Sequence, residues 1–334
     1  YKYVEGAFLK CNIHHRTKLN NMLNTLIHLT GQRVIFPFYH VVSNQKIPHI
    51  SPLYRVKTVE AFKKDLEYLL RFYQPMDLKD VMDFLASGKQ QSKPGFFLTF
   101  DDGLRPIFDV VRPILLEYGI PAAFFINPDF VDNKSMFFRY KAAILMDKLQ
   151  PYSSIQTTAL VNTLQIKDIK GFLLGIGYKQ RHQLSKIAEI MEVDFAQYLK
   201  EVQPYMTLQE IRQLCQDGFY IGGHSLNHPL YSDINIEEQL SQTQASLTYI
   251  HHHIQSDYRI FAFPFTEYGV QAAFFKSAEA DIFFGTAGLK NDPEPRLLHR
   301  IPMEIKGQSA QKILQSQYLY YAAKSLVGKN TIRR

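Results

Sequence analysis

The sequence predicts an α/β protein, a barrel or a doubly wound sheet of about seven parallel strands, and three observations carry that prediction. Short aromatic and β-branched runs recur along the chain, apolar on both faces as parallel strands covered by helices require. Polar stretches with helix caps and apolar stripes alternate with them. One long tract, about 132–206, lacks any strong strand pattern and reads as a helical insertion packed beside the main domain.

Taken in order, residues 1–33 form a helical lead-in, and VIFPFYHVV (34–42) is the first strand run. TVEAFKKDLEYLLRFY (58–73) is a helix capped by Thr58, with Phe62, Leu66, Leu69 and Leu70 along one stripe. GFFLTF (95–100) is the next strand, IFDVVRPILLEYG (107–119) a helix stopped by a glycine, and AAFFIN (122–127) a strand. The insertion holds SMFFRYKAAILMDKLQ (135–150) and RHQLSKIAEIMEVDFAQYLKEV (181–202), both helical in character. GFYIGG (218–223), the helix NIEEQLSQTQASLTYIHHHI (235–254), then RIFAFPF (259–265), IFFGTAG (282–288) and LLHRIPME (297–304) complete the alternation. The main domain therefore spans 34–305, and 306–334 is a C-terminal helix with a basic tail, whose aromatic stripe is expected to pack on the domain.

A 46% apolar and 21% charged composition is that of an ordinary globular chain, which excludes a disordered or fibrous protein. No apolar run approaches the roughly 18 residues a membrane span needs; the best stretch, MLNTLIHLT (22–30), is broken by Asn24 and His28. The net charge of +7 is concentrated partly at the two ends, which read as solvated tails, with contact to an anionic surface, membrane lipid headgroups or an acidic glycan, as the sharper alternative. No nucleic-acid motif accompanies that charge, so nucleic acid is excluded as a partner. Cys11 and Cys215 have no metal-type spacing and point weakly to a reducing compartment, hence a cytoplasmic protein; a signal peptide ahead of Tyr1 is outside what the sequence tests.

The chemistry begins at FLTFDDGLRP (97–106), where a strand runs into two adjacent carboxylates and a turn-forming glycine. In α/β barrels, functional groups collect at the C-terminal ends of strands. A cation bound by one aspartate would resolve the repulsion between the pair and leave the other as a base. GFYIGGHSLNHPL supplies a matching set after another strand: His224 and His228 are four apart, a spacing that one helical turn would bring to one face. One carboxylate and two imidazoles suit Zn²⁺, Fe²⁺, Co²⁺ or Ni²⁺, and three protein ligands leave positions open for water and substrate.

TFDDG (99–103), HSLNH (224–228), FAFPF (261–265) and LLH (297–299) together resemble the polysaccharide deacetylase family, the NodB-homology group or carbohydrate esterase family 4. FYHVVSNQ and PMDLKDVMDFL resemble its lead-in, and the likeness covers about 34–305 apart from the insertion. It implies a distorted (β/α) barrel and a hydrolase that uses zinc or another divalent metal to remove N-acetyl, or alternatively O-acetyl, groups from a polysaccharide, oligosaccharide or sugar precursor. Laid on this sequence, it implies Asp101 as general base and Asp102, His224 and His228 as metal ligands. Ser225 then braces the histidine loop, the Phe265 backbone N–H serves as oxyanion donor, and His299 is the candidate acid or a structural histidine. The partner expected is an acetylated glycan or sugar precursor.

The sequence departs from the family in two places. Ala262 stands where an arginine usually tethers the catalytic aspartate, leaving Arg296, Arg300 and Arg105 as substitutes, and there is no Trp for the acetyl pocket. Phe283 and Phe284 are either its replacement or strand core. His40 ends the first strand and is a candidate for the same mouth; His14, His15 and the HHH run at 251–253 read as exposed. Two rival functions stay open: a glycan-binding protein that does not turn its ligand over, and a non-heme iron oxygenase built on the two histidines and one aspartate.

Overall fold

The computed structural model describes residues 22–88, 93–149 and 161–333. The expectations for His14, His15, Cys11 and the first part of the lead-in lie outside them. Every expected strand run forms strand. VIFPFYHVV gives β1 (Val34–Ile35) and β2 (Pro37–Tyr39); β3 is the short Gln74–Pro75; GFFLTF gives β4 (Gly95–Phe96) and β5 (Leu98–Phe100). Then come β6 (Ala122–Ile126), β7 (Tyr220–Gly223), β8 (Ile260–Ala262) and β9 (Ile282–Gly285). LLHRIPME gives β10 (Leu297–His299) and β11 (Ile301–Pro302), separated by Arg300 alone.

The main sheet runs β10-β9-β8-β7-β6-β5-β2-β11, every pair parallel. Its two edges belong to one passage of the chain, since β10 pairs with β9 while β11 pairs with β2 across the break at Arg300. The sheet thus curls into a nearly closed barrel, which leaves no long open edge. A second, three-stranded sheet, β1-β4-β3, extends the N-terminal end.

Strand residues alternate between two apolar clusters, as a pleat of period two requires. Phe97, Ala123, Phe125, Ile260, Ala262, Ile282, Phe284 and Leu298 fill the inside of the barrel with Met76, Leu78 and Val81. Phe100, Phe124, Phe261 and Phe283 face the helices. Phe283 and Phe284 are therefore core on opposite faces of β9, and neither replaces a tryptophan at the site.

The helices are α1 (Val59–Phe72), α2 (Leu78–Ser87), α3 (Arg112–Tyr118), α4 (Phe138–Leu149), α5 (Ile169–Gly175), α6 (Gln183–Ile190), α7 (Phe195–Val202), α8 (Leu208–Gln216), α9 (Ile236–Ile254), α10 (Ala272–Ser277) and α11 (Ala310–Leu326). Thr58 caps α1 by accepting from the Ala61 N–H, as its sequence predicts. Pro113 has no N–H to donate, and the turn before it, Ile107–Val111, widens to a π-helix closed by Arg112 N–H to the Ile107 carbonyl. Between β6 and β7 the described residues contain no strand, and α4 through α7 make the insertion helical. The aromatic helix α11 packs against α1, with Ile313, Leu314, Tyr318 and Tyr321 buried. His251, His252 and His253 are exposed at the C-terminal end of α9, where the helix dipole favours a positive charge. No helix among the described residues is long and apolar enough to cross a membrane.

Candidate metal centre and active site

Asp101 continues the inward-facing register of Phe97 and Thr99, so its carboxylate points into the mouth of the barrel. Its N–H donates to the Tyr39 carbonyl, which extends the β5–β2 pairing by one residue. Asp102 then adopts φ 71° and Gly103 φ 62°, a left-handed turn that aspartate tolerates better than most residues and glycine tolerates freely. Gly103 also leaves little room, because a Cβ there would stand 3.2 Å from the Ile126 side chain.

His224 and His228 do converge, but not on a helix. The five residues HSLNH form a bent loop after β7, with Ser225 and His228 both at φ 62°. What holds the loop is hydrogen bonding: the His228 N–H donates to Ser225 Oγ at 3.0 Å, and Asn127 Nδ2 donates to the His224 and Ser225 carbonyls. Ser225 is thus the brace the resemblance implies. Of ten non-glycine residues with positive φ among those described, four are Asp102, Ser225, His228 and Phe265, all in the loops around this site. Backbone strain concentrated there is characteristic of a functional centre.

The ligating atoms of Asp102, His224 and His228 lie within 4.8 Å of one another, and all three side chains are buried. Asp102 Oδ1 is 3.2 Å from His228 Nε2 and 3.5 Å from His224 Nε2. The His224 Nδ1–H donates to the Ala262 carbonyl at 2.8 Å, a bond that leaves its Nε2 as a lone pair. The other oxygen of Asp102 accepts from the Tyr140 hydroxyl at 2.5 Å, whereas Oδ1 has no hydrogen-bond partner. A buried carboxylate oxygen without a donor, facing two imidazole nitrogens, is costly alone and fits a divalent cation well. Burial opposes the Asp102 charge, yet the two histidines hold its carboxyl well below the usual range; burial lowers His228.

Asp101 has a different partner. Arg300, fully buried, grips it with two hydrogen bonds of 2.6 and 2.8 Å and also reaches Thr99 Oγ1 at 3.2 Å. Its guanidinium lies over the Phe38 ring, 4.4 Å from the centroid. Burial raises Asp101, but the charge and hydrogen bonds of Arg300, with His224 and His40 adding to them, together keep the carboxyl below its ordinary value. Of the three arginines left open by the missing third-motif residue, Arg300 is the one at the site. Arg105 pairs instead with Asp109 and Glu210, and Arg296 with Glu294.

Strand alternation explains the fate of His299. Leu298 and Arg300 face inward, so His299 between them faces out. Its Nε2 lies 3.0 Å from Asp292 and its Nδ1 3.4 Å from Glu267, and it does not line the catalytic cavity. Of the two roles left open for it, this position fits the structural histidine and not the acid. His40 does line the cavity, and Glu304 grips it: the Glu304 carboxylate accepts from His40 Nδ1 at 2.6 Å and from the His40 and Val41 backbone N–H groups. Burial disfavours the imidazolium, but Glu304 chiefly, with Asp102 and Asp101 adding to it, outweighs that and raises the His40 pKa to about 9. Phe265 is brought to the site too, its ring 4.7 Å from that of His228.

The cavity measures about 410 Å³ and is also lined by Tyr54, Phe137, Arg139 and Tyr140. The last three come from the insertion, where nothing in the local sequence marks them as functional. Glu304 likewise follows a strand at the far end of the chain from His40.

A family model described as polysaccharide deacetylase matches residues 88–280. No curated protein sequence matches the chain significantly. Among solved structures, Streptococcus pyogenes deacetylase PplD in complex with acetate shares 14% identity at a TM-score of 0.57, with 85% of this chain and 97% of that one covered. IcaB from Ammonifex degensii shares 13% at 0.54, covering 85% and 96%. A de-N-acetylase from Aggregatibacter actinomycetemcomitans shares 15% at 0.52, covering 84% and 99%. At such identities the structural likeness is one of fold, the nearly closed parallel barrel described above. The match of the family model over more than half the chain goes further: this chain belongs to the polysaccharide deacetylase family, hydrolases acting on carbon–nitrogen bonds.

Proposed function

We propose that the protein is a divalent-metal-dependent deacetylase that releases acetate from an N-acetylated glycan or sugar precursor. The observation that carries this reading is the division of labour between two adjacent carboxylates. Asp102 Oδ1 is orphaned between two histidine nitrogens, while Asp101 is held by Arg300 at the edge of that cluster, 4.0 Å from His224 Nε2. Asp102, His224 and His228 would hold the metal. A divalent ion there, with zinc, cobalt, nickel and iron all matching the donor set, lowers the pKa of a water and polarises the acetyl carbonyl.

The protein's own groups carry the rest. Asp101 accepts the proton of the water as its oxygen bonds to the acetyl carbon. The Phe265 amide N–H, which makes no hydrogen bond among the described residues, donates to the developing oxyanion. His40 donates its Nε2 proton to the sugar nitrogen as the C–N bond breaks, leaving acetate and a free amine. Glu304 orients the imidazole and favours its protonated form at neutral pH. Phe38, Phe137 and Phe263 line the cavity and would shield the acetyl methyl from water.

The missing arginine and tryptophan motivate the rival reading, a binding protein without turnover; Arg300 answers the first of these. An oxygenase would have no use for Asp101 and its clamp. The test is acetate release from a panel of N-acetylhexosamine oligosaccharides by protein loaded with Zn²⁺, Co²⁺ or Ni²⁺. Asp101→Asn is expected to lower kcat by about 100-fold or more, the scale of general-base catalysis. Full activity in Asp101→Asn would overturn the mechanism, and no acetate from any substrate would overturn the function.

A further inference from the structure

Arg139 places a cation on the wall of the catalytic cavity, and no carboxylate among the described residues forms an ion pair with it. Its guanidinium donates to the Leu174 carbonyl and lies 5.3 Å from the Phe138 ring centroid. Asp233 is close enough to favour its charge but makes no ion pair with it, and burial works against that charge. Two other charges at the cavity are matched within the protein, Asp101 by Arg300 and His40 by Glu304, and Asp102 faces the candidate metal position. A partly exposed cation at a cavity wall, with no ion-pair partner of its own, is placed to meet a ligand that supplies the counter-charge.

A second observation extends the first. Phe138 lines a groove of about 370 Å³ on the other side of the same turn of α4, together with Lys141, Lys179, Arg181 and His182. Its acid, Asp129, already accepts from Asn227 Nδ2 at 3.1 Å. Arg181 stacks on Tyr178 at 3.8 Å, and Tyr178 in turn donates to Asn227, which stands in the HSLNH loop between the two histidines. The groove and the catalytic cavity therefore share the histidine loop and the start of α4, with cations in both.

We infer that the substrate is an acidic glycan: an acetylated sugar chain bearing carboxylate or phosphate groups, one held by Arg139 beside the reacting acetamide and another by Arg181 and Lys179 in the groove. The inference rests on the deacetylase reading and specifies its substrate class. The net charge of +7 favours the approach of such a polyanion.

The experiment compares three acetylated oligosaccharides of equal length, one neutral, one containing uronate and one carrying phosphate. With wild-type protein the acidic substrates are expected to exceed the neutral one by about tenfold in kcat/KM, as a charge-assisted hydrogen bond in a half-buried site allows. The advantage falls as salt rises. In Arg139→Gln the acidic-to-neutral ratio collapses toward one, and Arg139→Lys keeps part of it; which acidic substrate responds tells carboxylate from phosphate. Equal kcat/KM for all three substrates, or a ratio unmoved by Arg139→Gln in folded protein, overturns the inference. Calorimetric binding of the same oligosaccharides by metal-loaded protein keeps the two readings apart. Without turnover of any substrate the deacetylase reading fails, and tighter binding of the acidic chains, lost in Arg139→Gln, still decides this one.

Discussion

Asp101 and Arg300 are 199 positions apart in sequence and make a buried bidentate pair at the cavity wall, the geometry in which a guanidinium gives most per contact. His40 and Glu304 form the second long-range pair at the mouth, and its consequence for pH has a definite sign. The folded-state pKa of His40 is raised to about 9 against an ordinary 6.5. A raised histidine pKa means the folded state binds the proton more tightly, so the pair's stabilisation is complete below pH 6.5 and disappears as pH rises through about 9. The difference in Tm between wild type and His40→Gln is therefore expected to be largest near pH 6 and to shrink toward zero by pH 10. A difference independent of pH would rule out the ion pair. Both pairs were only half legible in the sequence. The motif LLHR names its residues, but their directions follow from counting outward from Leu298, which makes Arg300 inward and His299 outward. Glu304 sits in no motif, and its pairing with His40 depends on the lateral β11–β2 pairing that the sequence does not disclose.

The element that changes most between sequence and structure is the insertion, read as a neighbour of the domain and found to supply part of the site. Helix α4 carries Tyr140, fully buried, whose hydroxyl occupies Asp102 Oδ2 and so presents Oδ1 alone to the histidines. Burial and the nearby Asp102 charge raise the phenol well above its ordinary pKa, so it stays a donor. Partners of metal ligands of this kind typically contribute 10–100-fold in metal affinity. Tyr140→Phe preserves the ring that packs against Phe137 and His49 while deleting the donor. It is expected to weaken Zn²⁺ binding by about that factor in a chelator-competition titration. Unchanged affinity would make Tyr140 a packing residue only. No spacing rule reaches Tyr140, because its link to Asp102 crosses 38 positions and exists only once α4 docks against the barrel mouth. The histidine loop shows a complementary limit. The pattern HxxxH gave the right pair for a helical reason that does not apply, since the left-handed backbone at Ser225 and His228 does the work instead.

At the scale of the molecule, the seven strand runs were legible because a parallel strand buried on both faces must be apolar throughout, and nothing else in the chain looks like that. Closure into a barrel was less so: β10 and β11 read as one strand, and only pairing of its two halves with opposite edges turns the sheet round. The candidate metal ligands hang on the ends of β5 and β7, with β6 between them, and Ala262 at the end of β8 orients His224. An ion bound there ties together the loops at the ends of β5 and β7, a cross-link the unfolded chain lacks. By linkage, a ligand present at 1,000 times its Kd stabilises the folded state by about 4 kcal/mol. Adding Zn²⁺ to metal-free protein is thus expected to raise Tm by several degrees, with the rise growing logarithmically in free metal. Asp102→Asn should abolish most of that rise, since the amide brings no negative charge to the site. Arg300→Lys, by contrast, should lower the baseline Tm while leaving the metal-induced increment intact, because Arg300 holds Asp101 and touches none of the three ligands. If instead Arg300→Lys erased the increment, the two carboxylates would be acting as one site, and the separation of base from metal ligand on which the mechanism depends would fall.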